Sequence, residues 1–555
     1  MSGTQAERII IGRVASLRGT SGFGWVEAIA IAAGRVVAAG SRREVEVLAG
    51  PHTATWHLPP GLAVTPSFTD AHIHCISAAL AAGQPDLTGL DKDGVQAAIA
   101  AAHQQLLERG DPDSWLLGHG WTFPALGARP AAAWLDEAAP GRPVALWAHD
   151  HHSRWLSARA IQIAGLAAIG DPPSGRIERD PEGRPTGVMY EAAAGLVDAH
   201  VPAAGMSEVD WALGAYARTL AELGVTSVHD PGPVAPDPEL SGGPVHYREM
   251  ARGGHLPLRV MASVREEQLD RAIDVGFRSG QTVAADGRDR YRDGWLKLFG
   301  DGALGSRTAA LLAPYEPDDP AGAPPGGPSG MPVRTFEELT EAAGRAAEAG
   351  IASEIHAIGD GAVRTVLDVI EGLPAVAGAM HRVEHAQLVD PADIARFGSL
   401  GIPASVQPSH LLSDAAAMRT SWGTRSATAF PLSELDATGA LLPFGTDAPV
   451  ESADPWPGLA AAVMRRGPGW SETEAFHLEQ AIGLDRALRG ACLDGPRSAH
   501  VTDQGHLDEG ACADLLVVPA ALFDPGVGPE VLAEARPQAT LLDGEVVYRA
   551  PDFEL

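Results

Sequence analysis

A chain of 555 residues is longer than one ordinary core can hold, so two or more structural units are expected. Hydrophobic residues at 45% and charged residues at 20% are the balance of a folded globular protein, and the apolar runs fall well short of the ~18–20 residues a bilayer crossing needs. A net charge of −30 argues against nucleic acid and anionic lipid as partners, because both demand basic footprints.

In chain order, residues 1–8 lead straight into Ile9-Ile10-Ile11 with no basic and apolar export signal. Three cysteines, Cys75, Cys492 and Cys512, cannot build a disulfide framework and lack zinc-ribbon spacing, so a reducing, cytoplasmic setting is expected. Residues 8–60 alternate short strands with tight turns, and residues 513–518 and 539–548 do the same. One small β-sandwich built from both ends, 1–62 and 496–555, is therefore expected beside a central unit at 63–495.

Within that central unit, strands are expected to end near His72 and to cover 225–229, 258–263, 296–299, 351–356, 381–385, 403–406 and 441–445. Helix-length segments such as 336–349 and 362–372 separate several of them. Eight alternating βα units predict an α/β protein with a parallel (β/α)8 TIM-like barrel, whose site lies at the C-terminal strand ends. The interval from His74 to Val225 is too long for one crossover, so about 84–205 is an insertion after strand 1. It carries Trp115, Trp121, Phe123, Trp134, Trp147 and Trp155, which suit either a lid over the pocket or a packing unit of its own; Trp121 and His152 are candidate pocket residues. Residues 320–330 read as a Pro/Gly-rich loop.

The chemistry-bearing residues fall at the ends of these runs. His72 and His74, two apart on an extended segment, leave the same face and can supply half a metal shell. Only two of the 41 basic residues are lysines, and one of them, Lys297, sits inside the apolar run Trp295-Leu296-Lys297-Leu298-Phe299. A buried lysine can be neutralised where an arginine cannot, and carbon dioxide added to its amine gives a carbamate with one oxygen for each of two metals. The alternative is a lysine that snorkels. His356 and His385, 29 residues apart and each ending a strand, would hold the second metal. Asp447, in Phe444-Gly445-Thr446-Asp447, can ligate and also accept a proton. Cys75 abuts the histidine pair and reads as a small buried residue, with a ligand or nucleophile as the alternative.

With those residues in place, the chain resembles the amidohydrolase superfamily, and closely its amidohydrolase-3, YtcJ-like branch, which includes N-substituted formamide deformylases. The resemblance rests on Lys297 through Leu311, Ile355-His356-Ala357-Ile358-Gly359-Asp360, His381-Arg382-Val383-Glu384-His385-Ala386-Gln387 and Gln407-Pro408-Ser409-His410, with Arg184-Pro185-Thr186-Gly187 and 509–514 in support. It implies the barrel and composite sandwich, two divalent ions (usually zinc) and amide-bond hydrolysis. It also implies His72 and His74 on one metal, His356 and His385 on the other, a carboxylated Lys297 bridging, and Asp447 as ligand and base. The family's Asp-Gly-His in the insertion is here Asp150-His151-His152, a departure at the middle position.

The expected activity is hydrolysis of a C–N bond in an amide, formamide or related neutral small molecule by a metal-bridged hydroxide. His410 would donate to the oxyanion or cap a helix. Arg307 would bind a substrate carboxylate or carbonyl, or pair with Asp301 or Glu316. Arg382 and Glu384 are expected to point away from His385 and to be structural. The rival readings are a mononuclear deaminase of the same superfamily and a non-catalytic binding scaffold; a homodimer is left open.

Overall fold

The computed structural model describes residues 5–232, 243–283, 289–317 and 324–554. Its middle is a parallel sheet of β1 (Phe68–Asp70), β2 (Val225–Asp230), β3 (Arg259–Arg265), β4 (Tyr291–Phe299), β5 (Ser353–Ala357), β6 (Arg382–His385) and β7 (Ala404–Ser405), paired strictly in that order. Every position of β2 and β5 is buried, as in parallel strands covered on both faces. The covering helices follow the expected periodicity. Phe336–Glu348 starts at a reciprocal cap between Thr335 and Glu338 and buries Leu339, Ala342, Ala343, Ala346 and Ala347 along one stripe. Residues 320–323 of the expected loop lie outside the described residues.

The sheet curls until its two edges face a common segment. On the β7 side Ala404 N donates to Leu441 O at 3.0 Å and Val406 N to Pro443 O at 2.9 Å; on the β1 side Ala71 N donates to Phe444 O at 2.9 Å. The expected eighth strand at 441–445 is thus a run of single hydrogen bonds rather than a ladder. Pro443 has no N–H to give, so regular pairing is interrupted there.

Both ends of the chain enter one eight-stranded sheet, in which Leu515–Pro519 pairs antiparallel with Leu62–Pro66. Its inner side packs Ile10, Ile29, Val64, Leu515, Val517 and Leu541. A buried charge cluster ties this sheet to β3: Arg259 bonds Asp514 at 2.6 and 3.1 Å and also Asp543, which Arg290 holds as well. Removing the guanidinium strands a buried carboxylate, because Asp543 keeps Arg290 whereas Asp514 loses its cation. Arg259→Ala should therefore cost about 3 kcal/mol in denaturant unfolding. An unchanged midpoint would show that the cluster does not hold the two units together.

The inserted segment folds on its own mixed sheet of five strands, Leu116–Trp121, Val144–Ala148, Ser153–Leu156, Gly175–Arg179 and Pro185–Glu191. Two apolar cores lie against it, one around Trp121 and Trp155 and one around Leu156 and Ile177. It docks on the loop after β4 through Ser153 Oγ to Ser306 Oγ at 2.8 Å and through the Glu191–Thr308 hydrogen bond.

Candidate metal centre

His72 and His74 follow β1, Lys297 lies in β4, His356 in β5, His385 ends β6, and Asp447 follows the 441–445 segment. The fold brings all six together. Nε2 of His72 and of His74 lie 3.4 and 3.5 Å from Asp447 Oδ1. The His385 ring is 5.1 Å from that of His72 and 4.4 Å from that of His356. Ligand atoms of His72, His385 and Asp447 all lie within 4.8 Å of one another. Lys297 is buried beside them, its Nζ 5.0 Å from the Phe299 ring, and its charge acts on all four imidazoles and on Asp447.

Each imidazole is held by one nitrogen. His72 Nδ1 meets Glu384 Oε2 at 2.5 Å, His74 Nδ1 meets Gly232 O at 2.8 Å, and His385 Nδ1 meets Gln407 Oε1 at 2.8 Å. His356 uses its other nitrogen, Nε2, on Gly302 O at 3.1 Å. His72 Nε2, the opposite nitrogen of that ring, is buried with no hydrogen-bond partner among the described residues. Burial above all keeps the rings neutral: His72, His356 and His385 lie well below the usual range and His74 falls to about 3. Burial also lifts Asp447 to about 6 and lowers Lys297, whose neighbouring carboxylates Glu384 and Glu354 act the other way. Neutral imidazoles, a carboxylate, a buried lysine and an orphaned ring nitrogen are a donor set that fits divalent metal.

Backbone conformation does part of the aiming. His385 and Asp447 occupy the left-handed region at φ 72° and 60°, which residues with a Cβ seldom adopt. Gly445 is needed because a Cβ there would meet His72 N at 2.6 Å. The turn at His385 also corrects the reading of Glu384. Strand alternation ends at that residue, so Glu384 and His385 both enter the centre rather than pointing apart. Arg382 remains structural, buried between Glu354 and Glu384 with its guanidinium 3.9 Å from the Trp295 ring. That pairing accounts for the second acidic grouping, His72 with Glu354 and Glu384, without a further ion.

A cleft, partly open to solvent, lies beside the centre. His356, His385, His410 and Asp447 line it from the side of the parallel sheet, and the insertion contributes His149, Asp150 and His152. The insertion thus has its own core and also walls the site. His152 is held by Glu191 Oε2 at 2.8 Å and lies 5.2 Å from the His356 ring; burial opposes its charge, but Glu191 raises it to about 9. His151, in place of the family's glycine, takes φ 54°, the conformation glycine favours, so the departure keeps the turn. His410 starts the His410–Trp422 helix 6.5 Å from the His385 ring, and its Nε2 is buried with no hydrogen-bond partner among the described residues.

Two expected pocket contacts are not met. Trp121 is fully buried in the insertion's core, its indole N–H donating to Leu146 O at 3.0 Å and its ring packed on Trp155, because a large apolar ring gains more there than at a polar wall. Arg307 is buried with its guanidinium 5.1 Å from the Tyr315 ring and is not among the residues lining the cavity; Asp301 instead accepts from the backbone of Ala310, Ile358 and Gly359. Cys75 is buried in the main core with its thiol pushed well up by burial, which makes it a packing residue. The roles of Glu384 and Gln407 escaped the sequence reading, although each stands inside a motif quoted for the resemblance.

A curled parallel sheet with histidines, a lysine and an aspartate at its C-terminal edge defines a metal-dependent hydrolase of the amidohydrolase type. The chain belongs to the amidohydrolase family, whose model matches residues 60–548. It is 31% identical over 534 residues to the putative amidohydrolase YtcJ of Bacillus subtilis, covering 94% of this chain and 96% of that protein. It is 26% identical to the N-substituted formamide deformylase of Arthrobacter pascens, over 94% of this chain and 95% of that protein. An uncharacterized metal-dependent hydrolase from Pyrococcus horikoshii superposes with a TM-score of 0.72 at 26% identity, covering 95% of this chain and 99% of that chain.

Proposed function

We propose that this protein is a binuclear metal-dependent amidohydrolase that cleaves a non-peptide C–N bond of the amide or formamide type. The observation that carries the reading is the grouping of His72, His385 and Asp447 ligand atoms within 4.8 Å, with His74, His356 and Lys297 beside them and the buried Nε2 of His72 without a hydrogen-bond partner among the described residues. His72 and His74 would hold one ion, His356 and His385 the other, with Lys297 as its carbamate between them and Asp447 as a further ligand; zinc is the metal the family resemblance favours. When bound, two such ions supply a hydroxide at neutral pH and polarise the substrate carbonyl. Asp447 takes the proton released during attack and passes it to the leaving amine. His410, at the cavity edge, is placed to donate to the oxygen that gains charge.

The curled seven-stranded sheet together with 441–445 is taken as a (β/α)8 barrel spanning 63–495, and the terminal sheet, from 1–62 and 496–555, as a sandwich. No helix among the described residues is long and apolar enough to cross a membrane. The three unpaired, buried cysteines support a reducing, cytoplasmic setting.

Chelator-treated protein should lose hydrolysis of N-substituted formamides and regain it with zinc and bicarbonate, followed by amine release. Failure of the fully reconstituted protein to release amine from any formamide or N-acyl amine would overturn the assignment.

A further inference from the structure

Resting on the amidohydrolase reading, the charge balance of the cavity wall narrows the substrate. Among the described residues no arginine or lysine lines the cavity. Its two strongly basic histidines are already matched: His149 meets Glu451 at 3.1 Å and His152 meets Glu191 at 2.8 Å. Asp150 is occupied by the Ser306 hydroxyl and by the backbone N–H of His152 at 3.0 Å. Asp414 is the exception. One of its oxygens accepts from Gln387 Nε2 at 2.8 Å; among the described residues no cation forms a salt bridge with the carboxylate, although His410 and His149 stand near enough to act on it. Burial pushes its carboxyl up, against the opposing pull of His410, Gln387 and His149.

The position matters as much as the charge. Asp414 stands one turn after His410 on the same helix, about 6 Å farther along its axis. His410 and Asp414 therefore share a face, with His410 nearest the candidate metal centre. We infer that the substrate is an amide of a short diamine, or a similarly amine-bearing amide, whose ammonium pairs with Asp414 while its carbonyl lies at the metal centre. Water adds across the C–N bond, so that a carboxylate and a diamine leave. Amides ending in a carboxylate are disfavoured, since Asp414 repels them and Arg307 lies against Tyr315 instead of in the wall.

Calorimetry on the metal-loaded protein tests this with three matched probes: a monoformylated short diamine, its methyl-terminated isostere and its carboxylate-terminated isostere. The ammonium probe should bind about ten-fold tighter than the neutral one, and the carboxylate probe most weakly. Asp414→Asn should bring the ammonium and neutral probes to equal affinity. Equal binding of those two by the wild type, or a preference that survives in D414N, would overturn the inference. Formate release from the neutral probe reports separately on the amidohydrolase reading. Binding preference without release of formate from any probe would remove that reading and leave the amine site standing; release without preference would do the reverse.

Discussion

Replacing Lys297 by alanine should lower the metal bound per chain from about two equivalents to one or fewer, and cut formamide hydrolysis at least about a hundred-fold. The physical case is the cost of leaving that amine where it is. Lys297 is 1% exposed and sits among four imidazoles and Asp447, so an ammonium there would face both burial and any cation the site holds. Burial lowers its pKa, which frees the amine for carbon dioxide, and the carbamate turns a repelled cation into an anionic bridge. Lys92 supplies the control, because it lies over the Trp134 ring at 4.5 Å in the insertion; Lys92→Ala should keep full metal content. Elemental analysis of the three proteins prepared with zinc and bicarbonate decides the matter. Two equivalents retained by K297A would refute the bridge and bring the mononuclear reading forward.

Glu384→Ala should weaken zinc binding by about 10–100-fold and destabilise the fold by about 3–5 kcal/mol. Two separate duties meet in this carboxylate. One oxygen takes the Nδ1 hydrogen of His72 and so leaves Nε2 as the free donor; the other pairs with Arg382. Removing both leaves the ring free to turn and a buried guanidinium with Glu354 as its one remaining carboxylate among the described residues. Glu384→Gln separates the duties, since the amide oxygen can still accept from His72 while the charge is gone. Its thermal midpoint should fall as in E384A, but its zinc affinity, measured by chelator competition, should stay closer to wild type. Wild-type zinc affinity in E384A would mean that His72 needs no support from this side.

How much of this was legible from the residues differs between layers of the molecule. Strand positions came from β-branched runs such as Val225–Asp230, whose pattern is local and needs no knowledge of partners. The segment 441–445 misled because its apolar run looks like the others, while Pro443 denies it a regular ladder. Trp121 misled for a related reason. Aromatic residues line pockets and cores alike, and composition does not say which neighbour a ring will find. Glu384 was misplaced because strict alternation was applied across His385, whose left-handed backbone no pattern of residue types announces.

By itself the sequence determined the set of donors and their order along the chain, since ligand chemistry and strand periodicity are both written within a few residues. It also determined the acidic surface, which follows from composition alone. Only the tertiary structure decided which group orients each ligand and which side chains wall the cavity. His72 and Glu384 stand 312 positions apart, and His149 and Glu451 stand 302 apart. Such pairs are chosen by how the curled sheet and the inserted unit pack, because a hydrogen bond depends on where two atoms come to rest and leaves no trace in the residues adjoining either one.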